Sequence, residues 1–586
     1  MTNAGEAPDK GSDDRDAQNP EPLTPPPETP QNQPPPFEDI NLFTSDTALQ
    51  EAVTREGGSN VARELVGFGL VCGSSEAYDR ARLLGEYPPR LRTHNAQGTR
   101  IDEVQYHPAY HDLTAIACSE SLHCAPWQHL ANNASEVTSD NTPTQDRQVS
   151  RAAGLFLAAQ VESGHLAALS MTNAAIPAIL KEPDLAKSFL PKVLSRSYDA
   201  ASSPAAEKRS ILVGLGFTEN QAGSDLRNSI TRAVKVGNGG ASSLGSTVYS
   251  LTGHKWFLSA PMSDAFLMTA ATDDGPACFF VPRLREDGGR NGITIQRLKR
   301  KLGNRTNATA EVELSGTHGY LIGMPGEGLS VAAAALMQLR LDCSVMAVAS
   351  MRQATAQALH HAEHRKAFGR PLGEQPLMGQ VLADLALDTE AATALVFRLA
   401  RSFDRRHDEQ AGAWMRLMTP VTAYWTSKIA PALTAEALEC VGGNAYVEET
   451  PIARLYTDAS ALSLTAGSGN ILALDVLRVL QKEPDVVNIV MDDLGAAAGD
   501  DPHLRAAHQR IESILQDPRA LDLRARTLVE ALAVLAAGTI LRAHAPSAIA
   551  DAFIATRMGS FQRQTYGQGI DWADTQAILE RATPSN

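Results

Sequence analysis

The sequence predicts an α+β multidomain protein with an N-terminal helical domain, a central β-barrel or β-sandwich, and a C-terminal helical bundle that continues into a helical extension. Hydrophobic residues recur with a helical period up to about residue 208 and again after Gly328. Between these parts lie short β-branched and aromatic runs separated by Gly, Asp and Asn. The predicted segments are a disordered acidic tail over 1–44, the N-terminal helical domain over 45–208, the middle β domain over 209–317, the C-terminal bundle over 318–482 and the helical extension over 483–586.

The first segment is predicted to be disordered because of its composition. Ten of the 33 prolines lie between Pro8 and Pro36, among Glu, Asp, Gln and Asn. Residues 1 to about 40 therefore have too little apolar surface to offset the entropy lost on folding. We expect a solvated extension, and docking of its Pro-rich stretch in a partner groove is the alternative.

The elements of the folded part are predicted in chain order. Helices are expected at 46–55, 61–70, 77–84, 146–170 and 175–190, and again in long blocks from Gly328 to about 480 and from about 502 to 582. Strands are expected at 211–214, 247–251, 256–258, 266–269, 278–281, 293–295 and 311–314. The Gly-rich stretch at 237–245 is interpreted as a flexible hairpin insertion within the β domain.

Composition and charge exclude several classes of function. The formal net charge is -15, and residues 1 to 39 contribute -7 of it, with nine acids and two bases, so the sequence offers no overall attraction to nucleic acid. The six cysteines form no Cys-x-x-Cys pair, which argues against a disulfide framework and a zinc ribbon. The longest apolar run, Ala531 to Leu541, is too short to cross a bilayer. We expect a cytoplasmic protein without a membrane partner.

Two segments contain the residues that favour a particular chemistry. The first runs from Phe217 to Asp225 and brings two hydroxyl side chains, Thr218 and Ser224, close to Gly223. The second runs from Gly253 to Ala260 and contributes Trp256, Phe257 and Ser259 on one extended stretch. Such groups suit a flat heteroaromatic ligand with polar edges. A capped loop followed by a strand with a buried Trp is the alternative for either segment alone.

The two segments, in this order, resemble the flavin-binding signature of the acyl-CoA dehydrogenase superfamily. The resemblance implies that Thr218 and Ser224 bond the flavin ring and phosphates of FAD, and that Trp256, Phe257 and Ser259 line the isoalloxazine. The order of helical, β and helical segments is also that of the superfamily. The family architecture implies that the C-terminal bundle has four helices.

The extra hundred residues at the C-terminal end resemble one branch of this superfamily, the adaptive-response flavoproteins of the AidB type. The resemblance runs over nearly the whole chain from Phe37. It is most specific at 52–57, 107–111, 299–305 and 475–480.

Two further segments are assigned to FAD by the resemblance. Arg365, Phe368 and Gln375 surround a break between two helices, and an always-charged guanidinium beside such a break suits a pyrophosphate. Gly442 and Gly443 allow a close approach of backbone to ligand. In the family both segments reach the cofactor of a neighbouring subunit, which implies a homo-oligomer, and a dimer of dimers, hence a homotetramer, is the usual assembly.

The segment 465–470 resembles the family loop that meets the flavin and carries the catalytic carboxylate. Gly467, Ser468 and Asn470 match this loop, but the position of the usual glutamate is Ala466. The alternative family position for the glutamate is Leu339, just before Arg340. A general base is needed because dehydrogenation removes an α-proton while a β-hydride goes to the flavin. The catalytic residue is therefore unknown.

Two other carboxylates, Asp342 and Asp458, are weak substitutes for the missing base, and structural roles are favoured for both. A zinc site at His360 and His364 is discounted because no acidic or Cys partner lies at a useful spacing, so no metal is predicted.

Three functions remain open. The first is an FAD-dependent oxidoreductase that acts on an acyl-CoA or a related small substrate. The second is a flavin-stabilised DNA-binding protein that protects against alkylation, with Arg478 at the matching basic position. Residues 481–586 hold ten bases and fourteen acids, so DNA would need a concentrated arginine face. Candidates for that face are Arg505, Arg519, Arg524, Arg526 and Arg542. The third is an oxygen-using flavin enzyme of a biosynthetic pathway.

Overall fold

A computed structural model gives the three-dimensional structure, and it describes residues 31–131, 146–236, 247–465, 467–517, 521–559, 566 and 572–584. The N-terminal domain is mainly helical, as predicted. Its helices are α1 (Thr47–Cys72), α2 (Ser75–Glu86), α3 (Pro108–Ser119), α4 (Arg147–Val161), α5 (Leu166–Ile179) and α6 (Pro183–Val193). The two helices predicted at 46–55 and 61–70 lie on either side of a kink in α1, where Gly58 has the non-helical backbone angles φ 85° and ψ 164°.

The sequence analysis did not predict a β-hairpin in this domain. Strands β1 (Arg90–His94) and β2 (Arg100–Gln105) pair antiparallel. The Arg100 guanidinium donates to the Ile295 carbonyl oxygen, and Asp102 accepts from the Ile295 backbone N–H at 3.1 Å. The hairpin therefore fastens the N-terminal domain to the β domain.

Part of the predicted disordered tail is folded. Phe37, Leu42 and Phe43 are each less than a tenth exposed. The Leu42 backbone N–H donates to the Gly69 carbonyl oxygen on α1. Residues 37 to 43 thus cover the end of α1, because three apolar side chains there are enough to pack even though the preceding sequence is polar and Pro-rich. The part of the predicted tail from 1 to 30 lies outside the described residues.

The middle domain is a β-barrel. Its strands are β3 (Val213–Gly216), β4 (Arg232–Lys235), β5 (Val248–Ser259), β6 (Ala265–Thr272), β7 (Gly275–Pro282), β8 (Ile293–Leu298) and β9 (Thr309–Ile322). The strand order is β3-β6-β4-β5-β9-β7, and β6 also pairs with β7, so the sheet closes on itself. The two runs predicted at 247–251 and 256–258 form one long strand, β5. The predicted insertion at 237–245 lies outside the described residues.

The C-terminal part is helical, as predicted. Its bundle contains α7 (Gly328–His364), α8 (Pro376–Asp404), α9 (Glu409–Val441), α10 (Pro451–Thr465) and α11 (Gly469–Lys482), and the extension adds α12 (Pro484–Ala498), α13 (Pro502–Leu515), α14 (Leu521–His544), α15 (Ser547–Met558) and α16 (Trp572–Ala582). Helices α7, α8 and α9 pack along one another, and α14 and α16 pack on α8.

The extension is fastened to the rest of the fold by ion pairs. Arg557 on α15 contacts Asp384 and Asp388, which are buried on α8. On α16, the Arg581 guanidinium pairs with Glu390 at 2.9 Å and also with Glu51 on α1. The C-terminal extension therefore closes over both the bundle and the first helix.

Three described stretches are long and apolar enough to cross a membrane by length and composition. They are Gly328–His364, Pro451–Lys482 and Leu521–His544. In the first and third, 72% and 56% of the apolar window is buried inside the protein, against 35% in the second. Packing inside the protein accounts for the apolar character of α7 and α14.

A buried ion pair joins the N-terminal domain to the bundle. Arg151 on α4 donates to both carboxylate oxygens of Asp342 on α7, at 2.7 and 2.6 Å, and it also donates to the Leu122 carbonyl oxygen. Both side chains of the pair are at most 1% exposed. A buried ion pair offsets the free-energy cost of desolvation only when its geometry is good and its other polar groups are hydrogen-bonded. The two bonds of Arg151 to Asp342 and its bond to the Leu122 carbonyl oxygen meet this requirement.

We expect Arg151→Met to destabilise the protein by about 3–5 kcal/mol, because it leaves the Asp342 carboxylate buried without its guanidinium. Thermal and urea unfolding measure the change. The control is Arg147→Met, which removes a half-exposed pair with Glu64 and should cost about 0–1 kcal/mol. Equal melting temperatures for the two variants would contradict the role given to this pair.

Candidate functional site

The two sequence segments that predicted a ligand site lie side by side. The Trp256 backbone N–H donates to the Thr218 carbonyl oxygen at 2.9 Å. A Cβ atom added at Gly223 would lie 3.7 Å from the Thr218 methyl group, so the loop curls back on itself. Thr218 is half-buried, whereas Gly223 and Ser224 are exposed. The structure thus brings the predicted hydroxyl groups to the edge of strand β5.

A buried ion pair fixes this loop on the strand. Lys255 on β5 donates to the Glu219 carboxylate at 2.8 Å, and neither side chain is exposed. Glu219 also accepts from the Ile230 backbone N–H, and Lys255 also donates to the Thr269 carbonyl oxygen. Burial alone would raise the pKa of Glu219, but the charge and hydrogen bond of Lys255 outweigh it and lower that pKa to about 2.

The aromatic side chains of β5 differ in their exposure. The register between β5 and β9 shifts between Lys255 and Leu258, so the strict alternation of faces is interrupted where Trp256 and Phe257 lie. Phe257 is 51% exposed and Trp256 is half-buried. The ring that is most open to a ligand is therefore that of Phe257.

Lys299 is a site residue that the sequence analysis did not assign. Its ammonium nitrogen lies 3.4 Å from the centroid of the Trp256 ring and 4.7 Å from that of Phe257. It also pairs with Glu311. One face of the indole is thus already covered by a cation. The sequence analysis identified the stretch 299–305 as specific to the family branch. The sequence alone does not show which aromatic ring a lysine in this basic run contacts.

Polar contacts lead inward from Ser259. Its hydroxyl lies 3.4 Å from that of Thr309, which accepts from the Lys301 ammonium group at 3.0 Å. Lys301 also donates to the Asn307 carbonyl oxygen. Burial lowers the pKa of Lys301 to about 8, although the charge of Asp458 opposes this. Lys301 was also missed, because sequence alone does not show that it is buried.

The Arg365 segment forms a short hairpin at the predicted break between two helices. Helix α7 ends at His364, and strands β10 (Lys366–Ala367) and β11 (Arg370–Pro371) pair across a two-residue turn. The turn residues Phe368 and Gly369 have φ values of 52° and 83°. A turn with two positive φ values suits Asn-Gly far better than Phe-Gly. The Phe368 ring is 95% exposed, and the Gln375 amide steadies the hairpin through the Ala367 carbonyl oxygen.

The Gly442 segment forms an exposed turn after α9. Gly442 has a φ of 73°, and both it and Gly443 are exposed. The following Tyr446 is 84% exposed. Exposed aromatic rings beside two turns that are themselves accessible mark surfaces available to another molecule.

Residues 467–470, from the segment that resembles the family base loop, lie at the start of α11. Gly467 has a φ of 117°, Ser468 precedes the helix with extended backbone, and Asn470 is exposed in its first turn. A Cβ atom at the intervening Gly469 would lie 2.8 Å from Lys428, so this loop packs closely on α9. Ala466, the usual base position, lies outside the described residues.

The two substitute bases have structural partners. Both oxygens of Asp342 accept from Arg151. Asp458 is buried, accepts from the Asn304 backbone N–H and from the Ser163 hydroxyl, and has a pKa that burial raises. At the second customary base position, Leu339 is buried and its neighbour Arg340 pairs with Asp475. These carboxylates therefore hold backbone and cations in place.

Several arginines that would form a DNA-binding face are paired with groups of this chain. Arg478 pairs with Asp475 at 3.1 Å, and Arg542 pairs with Asp501 and Asp551. Arg505 pairs with Asp500, and Arg526 donates to the Tyr424 hydroxyl. Arg524 is exposed. Arg519 lies outside the described residues. Among the described candidates, Arg505 and Arg542 are thus neutralised by carboxylates, whereas the Tyr424 hydroxyl that contacts Arg526 is uncharged.

The described residues contain no group of three or more His, Cys, Asp or Glu side chains that could hold a metal ion. His360 donates to the Pro35 carbonyl oxygen and His364 to the His360 carbonyl oxygen. All six cysteines are buried as free thiols.

Comparison with known families agrees with this architecture. Residues 214–317 match the acyl-CoA dehydrogenase middle domain and residues 326–481 match the acyl-CoA dehydrogenase C-terminal domain. The chain therefore belongs to the acyl-CoA dehydrogenase family.

Within the family, the chain belongs to the AidB branch. Residues 32–200 match the adaptive response protein AidB N-terminal domain. AidB of Escherichia coli (strain K12) is 40% identical over 523 residues, which cover 89% of this chain and 93% of that protein. Acyl-CoA dehydrogenase family member 11 of Caenorhabditis elegans is 27% identical over 88% of this chain and 84% of its own length. Among solved structures, C. elegans ACDH-11 in complex with C11-CoA has a TM-score of 0.78 at 24% identity and covers 95% of this chain and 93% of its own.

The buried Glu219–Lys255 pair predicts an acid-sensitive stability. Because the folded pKa of Glu219 is lowered to about 2, its contribution is complete above about pH 4.5 and is lost as the pH falls toward 2. We expect Glu219→Gln to lower the melting temperature at pH 7 and to flatten its decrease between pH 4.5 and 3. Glu448→Gln removes an exposed partner of Arg305 and serves as the control. Parallel curves for Glu219→Gln and the wild type would refute the assignment.

Proposed function

We propose that this protein is an FAD-dependent oxidoreductase that acts on an acyl-CoA or a related small substrate. The observation that carries the proposal is the backbone hydrogen bond between Trp256 and Thr218, which joins the hydroxyl-bearing loop to the strand that carries the half-exposed Phe257 ring. Membership of the acyl-CoA dehydrogenase family supports the same cofactor and substrate class. When bound, FAD would supply the acceptor for a hydride.

The residues present fit this cofactor. Thr218 and Ser224 offer hydroxyl donors to the edge of the ring system and to the phosphates, and Phe257 offers an apolar face. Arg365 is only partly buried, so its guanidinium is available to a pyrophosphate. Gly442 and Gly443 leave room for close approach, because no atom lies within 4 Å of a Cβ added at either.

We further propose a homo-oligomer, with a dimer of dimers as the arrangement. The exposed Phe368 and Tyr446 rings flank the Arg365 hairpin and the Gly442 turn. Both rings are more than four-fifths exposed, and aromatic residues are enriched where protein subunits meet. In this arrangement the two turns reach the cofactor held by the Thr218 loop of a neighbouring subunit.

Proton removal limits the rate of the proposed reaction. Asp342 and Asp458 are engaged by Arg151 and by backbone, and Leu339 and Ala466 carry no carboxylate. Loss of a positioned base typically costs about 10²- to 10⁴-fold. Ordinary acyl-CoA dehydrogenation is therefore expected to be slow, and a substrate with an acidic α-proton is favoured.

Two other functions are separated from this one by simple measurements. Salt-dependent duplex binding would favour a DNA-binding protein, for which the pairing of Arg478, Arg505 and Arg542 with carboxylates gives no support. Rapid aerobic reoxidation of reduced flavin would favour an oxygen-using enzyme of a biosynthetic pathway. The main test is anaerobic titration of the purified protein with acyl-CoA thioesters of several chain lengths. Loss of the visible flavin absorbance supports the proposal, and a colourless protein that takes up no added FAD overturns it.

We expect Arg365→Met to weaken FAD binding about 10- to 100-fold, the loss typical of a charge-assisted hydrogen bond. Flavin fluorescence titration of deflavinated protein measures the dissociation constant. The matched control is Arg370→Met, an exposed arginine on the other strand of the same hairpin. If the two variants bind FAD with equal affinity, Arg365 does not contact the pyrophosphate.

We expect Ala466→Glu to raise dehydrogenase activity toward at least one acyl-CoA, by up to about 10²-fold, because it restores a carboxylate at the customary base position. Steady-state assay with an artificial electron acceptor measures the gain. The control is Ala466→Gln, which has the same size and no basic carboxylate. Equal activity of both variants across the chain lengths would show that the pocket has lost more than the base.

A further inference from the structure

A short N-terminal segment, Asn32 to Phe37, connects the two turns that are assigned to the cofactor. Asn32 contacts the Arg365 hairpin, and the Gln33 side-chain oxygen accepts from the Asn444 amide at 2.8 Å beside the Gly442 turn. We refer to residues 32–37 as the strap. The composition of this region predicted a solvated tail, so the strap was not expected from the sequence.

Asn32 holds the hairpin through three hydrogen bonds. Its side-chain amide donates to the Lys366 carbonyl oxygen at 2.9 Å, and its side-chain oxygen accepts from the Lys366 backbone N–H at 2.8 Å. Its own carbonyl oxygen accepts from the Arg365 guanidinium at 2.7 Å. Asn32 has a φ of 56°, a conformation that asparagine adopts more readily than most residues. An asparagine therefore satisfies both the backbone and the side-chain requirements of this position.

The strap is anchored at its other end on α7. The His360 ring donates to the Pro35 carbonyl oxygen at 2.9 Å, and the Phe37 ring packs on His360 with centroids 5.2 Å apart. Phe37 is buried. The three prolines at 34–36 restrict the backbone between this anchor and Asn32. The strap is thus stiff as well as attached at both ends.

The hairpin needs such support because its turn is strained. Phe368 has a φ of 52°, and a bulky side chain in this region costs about 1–3 kcal/mol unless the surroundings impose it. The Lys366 N–H and C=O groups that Asn32 fixes lie two residues before Phe368. A clamp at Lys366 therefore determines where the Phe368 ring and the Arg365 guanidinium are presented.

We propose that Asn32 is a positioning residue for the cofactor, which pre-orders the Arg365 hairpin and couples it to the Gly442 turn. This inference rests on the proposed function. One guanidinium nitrogen of Arg365 donates to Asn32, and the other N–H groups of the fork are left for a pyrophosphate. The match to the AidB N-terminal domain begins at residue 32. Pre-organised turns bind a ligand more tightly because less ordering is required on binding.

The test compares Asn32→Ala with Gln31→Ala in the full-length protein. Gln31 is exposed, and its side chain forms no hydrogen bond with the residues that the structure describes. Three quantities are measured: the dissociation constant for added FAD after deflavination, the hydrogen-exchange rate of the Lys366 amide, and the melting temperature of the cofactor-free protein. We expect Asn32→Ala to raise the dissociation constant about tenfold and to speed exchange at Lys366, with an unchanged melting temperature. Gln31→Ala should change none of them.

The possible failures are distinguishable. If Asn32→Ala binds FAD as tightly as the wild type, whether or not exchange at Lys366 is faster, the inference is wrong and the proposed function stands. A lower melting temperature with an unchanged dissociation constant would show a purely structural role, which also overturns the inference. A wild-type protein that takes up no FAD overturns the proposed function and the inference together.

Discussion

The candidate site depends on one buried charge pair. Lys255 points inward from β5 and Glu219 points inward from the loop after β3, so their attraction holds the loop on the strand. Because Glu219 also accepts backbone N–H groups at 230 and 231, one carboxylate fixes both ends of the loop that carries Thr218, Gly223 and Ser224. Two charges without solvent are tolerated only when their hydrogen bonds are satisfied, and the Thr269 carbonyl oxygen completes the set for Lys255. The hydroxyls and rings of the candidate site are thus supported by an ion pair that is itself fully buried.

The periodicity of hydrophobic residues predicted most of the helices and strands. The elements that it did not predict have local causes. The change from a helical to a β pattern predicted the barrel, but the hairpin at 90–105 was missed because its alternating residues are mostly polar or charged. Two predicted strands are one, β5, since a bulge and Gly253 let the strand continue through an irregular pattern. Within the site, the motifs identified Thr218 and Trp256, whereas Lys299 and Lys301 have no periodic signature and depend on tertiary contacts. The strap at 32–37 was not predicted to fold because its composition is polar and Pro-rich, which is typical of a disordered tail.

Two carboxylates that lie near the customary base positions in the sequence, Asp342 and Asp458, are engaged by other groups of this chain. The groups that suit a flavin are retained, whereas the carboxylates nearest to the customary positions neutralise Arg151 and Arg340 or cap the Asn304 backbone. Protonation of Asp342 would remove the negative charge that its buried partner Arg151 needs, so proton acceptance there would weaken the fold. For the proposed oxidoreductase, the rate therefore depends on how acidic the α-proton of the substrate is.

The ion pair between Arg581 and Glu51 has a consequence for biosynthesis. The two residues are separated by 530 positions, yet they meet on the surface where α16 crosses α1 and α8. During translation, α1 leaves the ribosome long before its partner exists, and it must wait with an uncovered edge until the distant helix arrives. The contact between α16 and α1 can therefore form only after residue 581 has been made, which leaves this edge of α1 uncovered while the intervening residues are synthesised.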